Sequence, residues 1–196
     1  MTLICVSQRV ETLPERNEVR DSIDQRLISF LTKSGGIVVP VPNFAHSEME
    51  IENWLNNIRP RAIVLSGGGD IGEQPSRDHV EERLLNYGSQ NSLPLLGICR
   101  GMQMMGVWGG ATLKSVRGHV ATSHQLTGEL DVKVNSYHNY SLMAVPDKFK
   151  AIAYSEDGEI EAIQHTTLPW EGWMWHPERE RYFSETDLKR LRNLIS

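Results

Sequence analysis

Apolar residues alternate between two rhythms along the first half of the chain. Short apolar runs at residues 3–7, 37–41, 62–65 and 93–98 predict buried strands. Between them, apolar positions fall at helical spacing. Ile23, Leu27, Phe30 and Leu31 predict a helix over residues 19–32, stopped by Gly35 and Gly36. Met49, Ile51, Trp54, Leu55 and Ile58 predict another that ends before Pro60. Residues 78–87 and 100–107 continue the helical pattern. Strand–helix alternation implies an α/β fold, a doubly wound, mostly parallel sheet with helices on both faces. The second half is richer in strands, predicted at 130–135, 149–154, 159–164 and 172–175, which adds a small β-rich region. Residues 184–195 close the chain as a helix, with Ser184 as its N-cap.

Composition narrows the class. At 196 residues, 39% hydrophobic and 23% charged, residues 1–196 form one domain large enough to bury a core. A net charge of −5 without a basic run gives nucleic-acid binding no electrostatic support. No apolar stretch reaches membrane-spanning length, and residues 1–7 lack the basic flank of a signal peptide, so a cytoplasmic location is expected. Two distant cysteines make no disulfide framework. Cys5, inside the first strand, reads as a small core residue.

Cys99 is different. Gly97-Ile98-Cys99-Arg100-Gly101 follows an apolar strand, and the G-x-C-x-G pattern is that of a nucleophile elbow, with cysteine where hydrolases often carry serine. Such a turn exposes the side chain at the carboxyl edge of a sheet, and a helix N-terminus at the sulfur favours the thiolate. A cysteine nucleophile needs a base, and the base an orienting group. His176 follows the aromatic run Gly172–Trp175 and precedes Pro177 and Glu178. Pro177 pushes His176 towards extended backbone, in which Glu178 points to the same side and can hold the imidazole. The same residues read equally as a Pro-Glu turn beside a surface histidine. Gly67-Gly68-Gly69-Asp70, after the third strand, reads either as a tight turn or as an oxyanion site, with the Arg100 N–H as second donor. It lacks the Lys-Ser/Thr of a phosphate loop.

The other histidines read blandly. His46 and His79 lie in polar, exposed-looking segments, His165 in a polar turn, and His119 and His124 in a loop-like stretch. No metal site is expected there, because neither cysteine nor carboxylate stands at ligand spacing, and no cofactor is expected.

Four motifs occur in order: Ser66–Asp70, GICRGMQ at 97–103, VNSYH at 134–138 and WHPE at 175–178. Together they resemble the class I glutamine amidotransferase-like family, in its γ-glutamyl hydrolase branch. The resemblance implies a Cys99–His176–Glu178 triad and oxyanion donors at Gly68 and Arg100. It further implies that Gly69, Gln103 and the turn Asn135-Ser136-Tyr137-His138 hold a glutamyl group, the turn mostly through backbone N–H groups. On sequence alone Gln103 reads equally as a helix-surface residue. Arg100 and the VNSYH run favour hydrolysis of a γ-glutamyl conjugate over ammonia supply, so no synthase partner is expected. The stretch 7–21 resembles hydrolases that remove glutamate from γ-glutamyl-cytidine diphosphoramidate in capsule synthesis. A nucleotide leaving group would need cations, for which Arg9, Arg16, Arg20 and Arg117 are candidates. The alternative for these arginines is solvated surface charge paired with Glu11, Glu15, Glu18 and Asp21. The competing functions are a γ-glutamyl-amine hydrolase, a non-catalytic glutamine-binding module and a glutaminase subunit.

Overall fold

The structure is a computed structural model and describes residues 1–43 and 48–196. His46 lies outside the described residues. The strands are β1 (Thr2–Ser7), β2 (Arg9–Leu13), β3 (Glu18–Ser22), β4 (Gly36–Val41), β5 (Ala62–Leu65), β6 (Leu95–Ile98), β7 (Leu113–Ser115), β8 (Val120–Gln125), β9 (Thr127–Gly128), β10 (Lys133–Tyr137), β11 (Tyr140–Leu142), β12 (Phe149–Tyr154), β13 (Ile160–His165) and β14 (Trp170–Trp173). The helices are α1 (Gln25–Lys33), α2 (Glu48–Ile58), α3 (Pro75–Gln90), α4 (Arg100–Trp108) and α5 (Glu185–Ile195).

Eight strands form the central sheet in the order β4-β1-β5-β6-β14-β13-β12-β9. The first five are parallel and the last three antiparallel. β5, β6 and β14 are buried at every position, as parallel strands covered on both faces must be. Helices α2, α3 and α4 pack side by side. Helix α5 reaches α1, where Arg192 donates to the Lys33 carbonyl. Small two-stranded sheets, β10–β8, β11–β7 and β2–β3, surround the main one. This is the expected doubly wound fold with its extra β-rich region. Among the described residues, no helix is long and apolar enough to cross a membrane.

The predicted helix over residues 19–32 is corrected at its start. Residues Glu18–Ser22 form a strand paired with β2, and helix begins only at Gln25. The apolar spacing misled because Val19 points to solvent, 66% exposed. Asp24 caps α1 by accepting from the Arg26 N–H at 2.8 Å, which places the helix boundary there. The hairpin is held by opposite charges and hydrogen bonds across its strands: Glu11 stands opposite Arg20 and also accepts from Ser22. Strands β7, β9 and β11 are only two or three residues long and β8 is mostly polar, so none carries an apolar rhythm to read. His124 lies within β8, not in a loop. His165 ends β13, buried against Phe149 and Trp170, instead of occupying a polar turn. His79 is half-buried on α3.

Candidate active site

Three neighbouring parallel strands, β5, β6 and β14, deliver their carboxyl ends to one edge. Leu65 at the end of β5 pairs with Gly97, and Ile98 at the end of β6 pairs with Trp173 of β14. The glycine loop, Cys99 and His176 therefore emerge side by side, where open α/β sheets bind ligands.

Cys99 adopts φ 50° and ψ −102°, a strained conformation for a residue with a side chain, costing on the order of 1–3 kcal/mol. Its N–H donates to the Trp173 carbonyl at 2.7 Å, which ties the turn to β14. The turn can fold this tightly because Gly101 has no side chain: a Cβ there would lie 2.2 Å from the Leu65 carbonyl oxygen. The expectation that the helix N-terminus favours a resting thiolate is corrected. Burial pushes the Cys99 thiol up to about 12. The Arg179 guanidinium and the Arg100 backbone N–H, which bonds the sulfur, oppose that rise without overcoming it.

His176 is 1% exposed, and its Nδ1 lies 2.7 Å from Oε1 of Glu178, itself buried. The carboxylate accepts, so Nδ1 carries the proton and Nε2 presents its lone pair. Burial lowers the proton affinity of His176 below the usual imidazole value; the hydrogen bond to Glu178 opposes this. The extended backbone expected after His176 is not what joins the two residues. Pro177–Arg179 form a 3₁₀ turn, and the turn brings the carboxylate back to the ring. Gly67 packs against that ring, where a Cβ would stand 2.5 Å from Cε1.

The glycine loop is held from behind by two arginines. Arg77, 2% exposed, donates to the carbonyls of Ser66 at 2.7 Å, Gly67 at 3.3 Å and Gly68. Arg9 Nε donates to the Gly67 carbonyl at 3.0 Å. In a planar trans peptide the Gly68 N–H points opposite to that carbonyl, away from both guanidiniums. Arg77 is in turn fixed by Glu81, which is fully buried and also accepts from Ser7 and from the Arg100 side chain. Asp78 takes the other end of that guanidinium.

A cavity of about 150 Å³ gathers these groups, lined by Gly68, Gly69, Asp70, Cys99, Arg100, Gln103, Tyr137, His138, Asn139, His176 and Arg179. Gln103 is buried, not on the helix surface, and its amide donates to the Tyr140 carbonyl. The run 135–138 is mostly strand, not a turn, and only Tyr137 and His138 of it reach the cavity. Asn135 instead clamps the histidine backbone: Oδ1 accepts from the His176 N–H at 3.0 Å and Nδ2 donates to the His176 carbonyl at 2.8 Å. Ser136 is fully buried and its hydroxyl donates to the His119 carbonyl. The His138 N–H donates to the same carbonyl, so that backbone donor is already engaged.

Among the candidate cations, Arg16 sits exposed in the 3₁₀ turn at the hairpin tip, outside the cavity wall, and Arg20 pairs with Glu18. Arg117 is exposed beyond β7. Arg9 alone of the four touches the glycine loop. Two arginines escaped the sequence reading. Arg179 lines the cavity and stacks 4.7 Å over the Tyr137 ring. Arg77 left one trace, its i,i+4 spacing from Glu81. The spacing around His119 and His124 offers no carboxylate, but the fold brings them to His138 and Glu161.

Strand-end placement, a strained cysteine turn and a buried His–Glu pair define an α/β protein of the nucleophile-elbow kind. The family model for class-I glutamine amidotransferases matches residues 17–193, and the chain belongs to that family, whose members are hydrolytic enzymes. It is 29% identical over 126 residues to the γ-glutamyl-CDP-amidate hydrolase of Campylobacter jejuni, covering 61% of this chain and 63% of that protein. It is 30% identical over 152 residues to the glutamine-hydrolysing GMP synthase of Prochlorococcus marinus, covering 72% of this chain and 28% of that one. The chain thus spans less than two thirds of the length of these curated relatives. A solved structure from Thermoplasma acidophilum, provisionally assigned as one component of a GMP synthase, shares the fold with a TM-score of 0.74 at 21% identity, covering 100% of this chain and 93% of that one.

Proposed function

We propose that this chain is a cysteine-dependent hydrolase that cleaves a γ-glutamyl amide through a γ-glutamyl thioester. One observation carries the reading: Cys99, on its strained turn, shares a cavity with His176, whose Nδ1 is held 2.7 Å from the buried Glu178 carboxylate. Because the resting thiol is protonated and His176 neutral, the proton passes from sulfur to Nε2 as the sulfur adds to the δ-carbonyl carbon. The carbonyl oxygen takes the negative charge and meets the N–H groups of Arg100 and Gly68. His176 then protonates the departing nitrogen as the C–N bond breaks. Water, giving a proton to His176, adds to the thioester; glutamate leaves and the proton returns to sulfur. Gln103, Tyr137 and Gly69 line the wall against which the glutamyl group would lie.

The favoured substrate is γ-glutamyl-CDP-amidate, giving glutamate and cytidine diphosphoramidate for capsule synthesis. Two points support it. The relative from Campylobacter jejuni bears that activity in its name. The cavity, well below the roughly 300–1,000 Å³ of pockets that enclose a drug-sized ligand, suits the acyl half alone, and Arg179 in its lining offers a cation to an anionic leaving group. The synthase relatives favour a second reading, a glutaminase feeding ammonia to a partner. A panel of glutamine, γ-glutamyl-GABA, a folate polyglutamate and γ-glutamyl-CDP-amidate, read by glutamate release, separates them. The CDP-amidate is expected to lead in kcat/KM by at least about 10-fold, roughly 1.4 kcal/mol of transition-state binding. Glutamine leading, or activity only after a synthase is added, would refute the substrate assignment.

The histidine sets the pH profile. A general base works only when neutral, and burial holds His176 below its ordinary value of 6.5. The acid limb of kcat/KM is therefore expected below pH 6.5, and activity falls as pH drops through it. A limb above that value, measured with a substrate that does not itself titrate there, would contradict this role.

A further inference from the structure

Beside the cavity, four side chains converge from the segment before β8, from β8 itself, from just after β10 and from β13. His119, His138 and Glu161 are buried and His124 is half-buried. One donor atom from each lies within 4.8 Å of all the others. Three form a tight triangle: His119 Nδ1 is 3.2 Å from His138 Nε2, His138 Nε2 is 3.3 Å from Glu161 Oε1, and His119 Nδ1 is 3.5 Å from that same oxygen.

The outer partners decide where the protons sit. His119 Nε2 lies 2.9 Å from the Asp157 carboxylate, and His138 Nδ1 lies 3.0 Å from the Tyr140 carbonyl. Both partners only accept, so each neutral imidazole carries its proton on the outward nitrogen. Two ring lone pairs and a carboxylate oxygen then face one another with no proton between them. Two further polar atoms, the acceptor Glu161 Oε2 and the ring nitrogen His124 Nε2, are buried without a hydrogen-bond partner among the described residues. Buried acceptors in such an arrangement repel unless a cation lies among them.

A lone extra proton bridges one pair of atoms and leaves the rest unmatched. A tetrahedral metal takes one atom from each of the four residues. With metal–nitrogen bonds of about 2.0–2.1 Å, neighbouring ligand atoms stand about 3.3 Å apart, the size of the triangle found here. The outward bonds to Asp157 and Tyr140 are those that orient metal-binding histidines.

We propose that His119, His124, His138 and Glu161 form a site for a divalent transition-metal ion of the zinc class. Three imidazoles and a carboxylate, with no thiolate, suit that class. Four protein ligands close the coordination sphere, as in structural sites. The metal would fasten the β8–β10 ribbon to β13 of the main sheet, directly behind His138 in the cavity wall. The inference does not rest on the proposed activity.

The untagged full chain, stripped with chelator and dialysed, is titrated with zinc chloride, and bound metal is counted by mass spectrometry. One zinc per chain is expected, with a rise in Tm on adding zinc. Glu161→Gln and His124→Ala are each expected to weaken binding by more than about 100-fold, beyond the 10–100-fold that loss of an outer partner costs, and Asp157→Asn to fall within that range. Cys99→Ala should keep its zinc. Cobalt loaded into the wild type should show the visible absorption of a tetrahedral site, which tests the geometry even if a ligand variant fails to fold. A wild type that retains no zinc and shows no Tm change would overturn the proposal, as would zinc lost on Cys99→Ala or retained in full by both ligand variants.

Discussion

On the proposed thioester mechanism, Cys99→Ala will lower turnover of a γ-glutamyl amide substrate by at least about 10⁴-fold, since losing the proposed nucleophile forfeits the two-step path and not merely one contact. The fold should survive. The side chain is small, and the turn is held by backbone: the Cys99 N–H reaches the Trp173 carbonyl whatever the residue. Alanine still bears a Cβ at φ 50°, so the local strain is retained, not relieved. Loss of one buried sulfur costs about 1 kcal/mol, a Tm change of roughly 2–4 °C for a chain of this length. Glutamate release and a thermal melt, run on the same preparation, check both halves. Measurable steady turnover by a folded alanine variant would sink the thioester mechanism.

Glu81→Ala will destabilise the protein by about 3–5 kcal/mol, because it leaves the buried Arg77 guanidinium without its counter-charge and Arg100 with Asp78 alone. Glu81 is fully buried between Arg77 and Arg100 and also accepts from Ser7 at 2.8 Å. Burial already pulls Arg77 below its usual proton affinity, with Glu81 the foremost opposing influence. A fall in Tm of roughly 6–20 °C is expected from that loss. Activity should fall as well at temperatures where the variant stays folded, because Arg77 holds the carbonyls of Ser66, Gly67 and Gly68. Chemical denaturation measures the first effect and kcat of the folded fraction the second. A loss below about 1 kcal/mol would mean that the network is a surface-like pairing of little worth.

The strands β1, β5 and β6 were legible because their burial leaves a continuous apolar run, and α5 because Ser184 caps it where the pattern begins. The β2–β3 hairpin was not, since its stability comes from cross-strand polar pairs and its one outward valine mimics a helical position. The glycine loop, the cysteine turn and the WHPE run could be read as chemistry from residue type and order. Their joint placement follows from strand order β5-β6-β14, which pairs residues far apart in the chain. Asn135 shows the limit: it belongs to a motif read as binding substrate, yet it grips the His176 backbone.

By itself the sequence determined the alternating architecture and singled out the candidate reactive groups, because burial periodicity, glycine spacing and side-chain chemistry are local properties. Only the tertiary structure decided their protonation states and partners. Burial depth, which no window of residues encodes, keeps Cys99 a thiol and His176 neutral. Strand pairing sets Arg179 in the cavity wall and, through β13, carries Glu161 to histidines that have no carboxylate near them in the chain.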